Sequence, residues 1–97
     1  MALTAKQRRE LLAASHPLKP LVTISPDNVS DDVVAQVRTA FTGRTLLKVR
    51  VNADHAAACD AVAAELVARV PCELVKRVGH VVVVHRPSEV TGVVEVQ

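Results

Sequence analysis

The cations of this chain come in runs that acids leave alone. Residues 1–20 hold Lys6, Arg8, Arg9 and Lys19 against one acid, Glu10, and residues 44–52 hold Arg44, Lys48 and Arg50 with none. A third group, Lys76, Arg77, His80 and Arg86, follows near the end of the chain. Guanidinium and ammonium groups gathered in this way can neutralise phosphates, a chemistry that positions a nucleic-acid backbone without reading its bases. Ordinary readings compete with it. Lys48 and Arg50 fit the solvated face of a sheet, and Arg77 and Arg86 could pair with Glu73 or Glu89 at the surface. The formal net charge is only +2, because Asp27, Asp31 and Asp32 cluster between the first two runs. The basic charge is regional.

Other chemistry finds little support. His55 and Cys59 stand four apart on an expected helix, a spacing that can hold a metal, yet no second close pair completes four ligands. Cys59 and Cys72 read better as small buried hydrophobes. The chain has no nucleophile elbow, phosphate loop or suggestively spaced carboxylate pair, so we expect no enzyme, metal, cofactor or small-molecule substrate. Phe41 is the only aromatic residue, which excludes a sheet of exposed rings on which bases stack. Two cysteines, no signal-peptide run and no segment long enough to span a bilayer lead to the expectation of a cytoplasmic protein without a membrane partner.

Ninety-seven residues, 49% of them hydrophobic and mostly Val, Ala and Leu, suit one domain of strands covered by Ala-rich helices. Thr4 and Gln7 form a capping-box pattern that opens a helix to about Ser15. Leu3, Leu11 and Leu12 give it an apolar stripe, and Lys6, Arg8 and Arg9 should project elsewhere. His16-Pro17 stops it. "LVTI" (21–24) reads as a short strand and "SPDN" (25–28) as a turn. Ser30 can cap a second helix with Asp31 and Asp32 in its first turn, a buried face of Val33, Val37 and Phe41, and an end at Gly43.

"TLLKVRVN" (45–52) alternates, with Leu47, Val49 and Val51 on one side and Lys48 and Arg50 on the other. Asp54 can cap a third helix running to about Val70, where Pro71 breaks the chain. Residues 72–78 and 81–86 form two strands joined at Gly79-His80, and four consecutive valines suggest an interior strand covered on both faces. The expected fold is a two-layer α/β sandwich, in the order α-β-α-β-α-β-β, with a loosely ordered tail after Pro87. Between the first helix and the first strand, "SHPLKPLV" (15–22) is either a plain connector or a rigid elbow that presents Lys19.

"LTAKQRRELLAASHPLKPLVTI", "LLKVRV" and "VGHVVVVHRP", taken in order, resemble the YhbY-type CRM domain. This RNA-binding module occurs singly in bacteria, linked there to precursors of the large ribosomal subunit, and duplicated in plant organelle splicing factors. The resemblance covers about Leu3 to Pro87 and implies a CRM-like domain over residues 1–87, followed by the tail at 88–97. It implies a four-stranded mixed sheet similar to that of the C-terminal domain of translation initiation factor three. It also implies RNA, expected to be ribosomal RNA in large-subunit precursors, as the partner. The candidate contacts are Arg8, Arg9, Lys19, Arg44, Lys48, Arg50, Arg77, His80 and Arg86.

Three positions depart from the family pattern. Its Gly-x-x-Gly loop after the first strand is replaced by Ser25, Pro26, Asp27 and Asn28, which removes an amide donor and brings an acid to where phosphate would sit. His80 stands where a lysine is common in the last turn, and His85 where tyrosine is common. Two alternatives stay open: a double-stranded DNA-binding protein, and a protein-interaction adaptor that kept the fold and lost RNA binding.

Overall fold

Three helices and four strands follow one another in the expected order in the computed structural model, which describes residues 3–27, 29–70 and 72–86. They are α1 (Ala5–Ser15), β1 (Val22–Ile24), α2 (Asp31–Ala40), β2 (Leu46–Val51), α3 (Ala56–Arg69), β3 (Glu73–Val78) and β4 (Val81–His85). The expectations for Asn28, for the break at Pro71 and for the tail from Pro87 lie outside the described residues. The strands form one sheet in the order β1-β2-β4-β3, with β1 parallel to β2 and the other two pairs antiparallel.

Local chemistry sets the helix starts. The Thr4 hydroxyl accepts from the Gln7 amide at 3.1 Å, and the Gln7 side chain accepts from the Thr4 amide at 2.9 Å, closing the capping box. The Ser30 hydroxyl caps α2 through the Val33 amide, ahead of Asp31 and Asp32 at the positive end of the helix dipole. The start of α3 corrects the expectation. His55, not Asp54, is the cap: its backbone is extended (φ −151°, ψ 163°) and its Nδ1 accepts from the Ala58 amide at 3.3 Å. The helix begins one residue later than the Asp54 reading requires, and an imidazole nitrogen supplies the acceptor.

The main core lies between one face of the sheet and the layer formed by α2 and α3. Ile24, Leu47, Val49, Val51, Val82 and Val84 meet Val37, Phe41, Cys59, Val62 and Leu66 there, all nearly or wholly buried. Val34 joins them from α2, while Val33 is half-buried at the edge. Each fully buried branched side chain contributes about 1.5–3 kcal/mol relative to exposure, so this cluster dominates the fold. Val83, between Val82 and Val84, is buried on the reverse face. β4 is therefore covered on both sides, as its valine run suggested.

What covers the reverse face is α1, which packs against β2, β3 and β4. Its inward residues are Arg8, Leu11, Leu12 and Ser15, spaced i, i+3, i+4 and i+7 along one stripe. Arg8 does not project away with Lys6 and Arg9, as its charge had suggested. Its guanidinium donates to the carbonyls of Leu74 and Val75 on β3, where the pairing of β3 with β4 shifts register. Edge carbonyls at such a shift lack a ladder partner, and Arg8 supplies one while pinning the helix to the sheet.

Replacing Arg8 with alanine should destabilise the chain by about 1–3 kcal/mol, the range for charge-assisted hydrogen bonds to a partly buried acceptor. Urea unfolding followed by circular dichroism checks this. Arg9→Ala, at an exposed position on the same helix, should leave the midpoint unchanged.

Candidate nucleic-acid interface

The joint between α1 and β1 closes back on β2. The Leu18 amide donates to Ser15 O at 2.9 Å and the Leu21 amide to Lys48 O at 3.2 Å. The Lys48 ammonium returns to Leu18 O at 3.1 Å. With Pro17 and Pro20 restricting the backbone between these bonds, the segment is an elbow fastened at both ends. Lys19 sits at its apex, exposed and without a hydrogen-bond or ion-pair partner among the described residues.

This closure creates a cleft of about 550 Å³ between α1, the elbow and β2. Lys19, Arg44 and Lys48 line it, and no acid does. Arg44 is held at the end of α2 by donating to Ala40 O at 2.6 Å. Leu11 and Leu46 give the cleft an apolar floor, and Leu18 and Leu21 remain 40% and 55% exposed at its wall. Three cations drawn from two separate stretches of sequence thus share one site. The apolar lining had no sequence signal, because its leucines come from α1, the elbow and β2, which only the fold brings together.

Beyond the end of α1 the reverse face of the sheet is open. Thr23, Arg50, Val81 and Val78 form one cross-strand row, with Arg50 and Val78 exposed. Lys48, Val83 and Lys76 form the next. Lys48 and Arg50 are two residues apart on one strand, roughly 7 Å along it, and Lys48 and Lys76 are two strands apart, roughly 10 Å. Lys48 therefore connects the cleft to the open sheet face. Lys76 belongs to this surface because of the register shift between Leu74 and Lys76. Plain alternation from Leu74 would put Lys76 on the helical side and Arg77 on the reverse.

Arg77 instead turns toward α3, where its Nε bonds Asp60 and its Nη1 donates to Gly79 O at 3.1 Å. Of the remaining candidates, Arg9 is exposed on α1. Arg86 is half-buried at the end of β4, its amide donating to Thr45 O at 2.9 Å. His80 is exposed in the turn after Gly79, whose φ of +60° fits a tight hairpin. Its carbonyl accepts from Val51 at 2.7 Å, so the turn lies at the C-terminal end of β2.

The loop at the Gly-x-x-Gly position lies at that same end. Pro26 and Asp27 share a hollow with Asn52, Asp54 and His55. Two exposed carboxylates, Asp27 and Asp54, thus flank this loop, whereas the elbow cleft at the other end of the sheet has only cations. Phosphate is favoured at the elbow and opposed at the loop.

The family model for the CRS1 / YhbY (CRM) domain matches residues 3–86. The chain is 28% identical over 87 residues to a protein of Haemophilus influenzae named RNA-binding protein, with 90% of this chain and 88% of the relative covered. It is 31% identical over 87 residues to "Probable RNA-binding protein YqeI" of Bacillus subtilis, covering 90% of this chain and 91% of the relative. The solution structure of the hypothetical protein SAV1595 from Staphylococcus aureus superposes with a TM-score of 0.80 at 28% identity, covering 89% of this chain and 90% of that one.

The thiols stand apart from this surface. Cys59 is fully buried and Cys72 nearly so, and His55 Nδ1 is engaged in its cap. Among the described residues no three His, Cys, Asp or Glu side chains gather to hold a metal ion, and no helix is long and apolar enough to cross a membrane. Burial pushes the Cys72 thiol from 9.0 up to about 11, an effect that the nearby Arg86 only partly offsets. Between these values the folded chain keeps a proton that the unfolded chain has released. Stability should therefore fall as pH rises from 9 to 11, by an amount on the order of 2 kcal/mol. Urea midpoints across that window check it, and a Cys72→Ala variant should lack this component.

Proposed function

From the premise that the chain belongs to the CRS1 / YhbY (CRM) domain family, we propose that it is a non-enzymatic RNA-binding protein. In this reading its contact surface joins the elbow, the end of α2 and the open face of β2. The observation that carries it is the gathering of Lys19, Arg44 and Lys48 around one cleft that no acid lines. Names of relatives as RNA-binding proteins support the choice of ligand. The resemblance to modules associated with precursors of the large ribosomal subunit supports ribosomal RNA, during subunit assembly in the cytoplasm, as the natural target.

The mechanism is electrostatic. Lys19, Arg44 and Arg50 displace counterions from phosphates, with Lys76 and Arg9 extending the track along either side. Lys48 has two roles, since it holds Leu18 O while facing the same cleft. The rigid elbow fixes the spacing of the charges, so an RNA whose backbone follows that spacing binds best. Arg8 and Arg77, engaged with β3 and Asp60, shape the scaffold that carries these groups.

Binding of the purified chain to large-subunit ribosomal RNA should weaken steeply with salt. Single Lys19→Ala, Arg44→Ala and Arg50→Ala variants should each lower the slope of log K against log salt by roughly 0.7–0.9. Arg77→Ala should leave the slope unchanged, and so should a Ser25→Gly, Asp27→Gly double variant of the loop. Filter binding over a salt series reads all of these. No binding at low salt would contradict the reading and leave the adaptor role. Equal affinity for matched RNA and DNA duplexes would favour the DNA alternative.

A further inference from the structure

We propose that the elbow cleft receives a single unpaired RNA base, with the flanking phosphates held by Lys19, Arg44 and Lys48. The inference rests on the RNA reading above and deepens it, from a surface that follows a backbone to a site that selects unpaired nucleotides.

Cations alone need no cleft, because phosphates on a duplex are met by an open basic face. Here the three cations surround an apolar hollow of about 550 Å³, within the roughly 300–1,000 Å³ typical of small-ligand pockets. Leu18 and Leu21 are two of the three large apolar side chains left exposed among the described residues, and both line it. Leaving them in water forgoes the burial energy that the rest of the chain exploits. An occupant with an apolar face and a negative periphery satisfies both features. A nucleotide is such an occupant: the base has two flat faces, and its phosphates lie to either side.

With Phe41 buried in the core and no histidine among the lining residues, no ring in the cleft is available to stack on a base. The aliphatic walls take that role, as apolar side chains do in pockets for extruded bases. Arg44 adds a planar guanidinium, which stacks on bases as well as pairing with phosphate. A base within a continuous duplex is stacked on both sides and cannot enter. Bulges, loops and single strands can, which gives the site a preference that backbone contacts lack.

Two RNA hairpins matched in phosphate number test this, one fully paired and one carrying a bulge of unpaired nucleotides. The native chain should bind the bulged hairpin roughly tenfold more tightly, in line with the stacking contribution of one base. Ala14→Leu fills the cleft from the exposed side of α1, without changing charge or helix propensity much. It should abolish the preference while keeping binding to the paired hairpin. Leu18→Ala, which removes a wall instead of adding bulk, should reduce the preference by the same route.

Fluorescence anisotropy reads all six combinations of chain and hairpin. Equal binding of the two hairpins by the native chain, or a preference untouched in both variants, overturns the cleft proposal and leaves the RNA reading standing. Failure to bind either hairpin at low salt overturns both. Capture of an acidic, leucine-bearing peptide that Ala14→Leu blocks, together with equal hairpin binding, would assign the cleft to a protein partner and overturn the proposal.

Discussion

Burial of Leu47, Val49 and Val51 against the layer of α2 and α3 commits Lys48 and Arg50 to the other side of the sheet, because side chains alternate along a strand. β2 is an interior strand, parallel to β1 and antiparallel to β4, so this commitment cannot slip. A shift of one residue would send three large apolar side chains out and two cations into the core. The chain thus obtains a positioned pair of charges as a by-product of its strongest packing interaction. On the reverse face Lys48 in turn holds the elbow that follows α1, through Leu18 O.

The helix α1 covers only part of this face, and the uncovered part carries Arg50 and Lys76, both exposed. Arg8 fastens one end of the cover to β3, and the elbow fastens the other to Lys48. "HPLKP" is therefore both a connector and a presenting device: its bonds to β2 make it rigid, and its rigidity sets where Lys19 stands. The cleft is the space left between the cover and the strand. Its apolar floor exists because α1 and the elbow approach β2 without sealing against Leu46.

Much of this was legible in the sequence. The capping box at Thr4 and Gln7, the cap at Ser30, the alternation of 46–51 and the four valines of β4 are local signals, and the structure follows each of them. The features that were not legible depend on contacts between distant segments. Arg8 reads as a surface cation until the carbonyls of the β3 register shift are known. Lys76 and Arg77 exchange faces because of that same shift, which the simple alternation of "ELVKRV" conceals. His55 displaces Asp54 as a cap because the start of α3 depends on how Asn52 and Ala53 leave β2, where the Asn52 amide bonds Ile24 O at 2.8 Å. Lys19, Arg44 and Lys48 were each legible as candidate contacts, but their convergence on one cleft was not.

The elbow cleft and the loop hollow differ in the charges that line them, and that difference is the centre of the account. Asp27 and Asp54 flank the loop end, whereas Lys19, Arg44 and Lys48 line the elbow end. An NMR titration of the isotopically labelled chain with large-subunit ribosomal RNA fragments compares the two ends in one experiment. The account predicts that the largest amide shifts fall on residues 14–21 and 44–50, with the loop at 25–27 and residues 52–55 little changed. Shifts concentrated at 25–27 and 52–55, with the elbow silent, would contradict it.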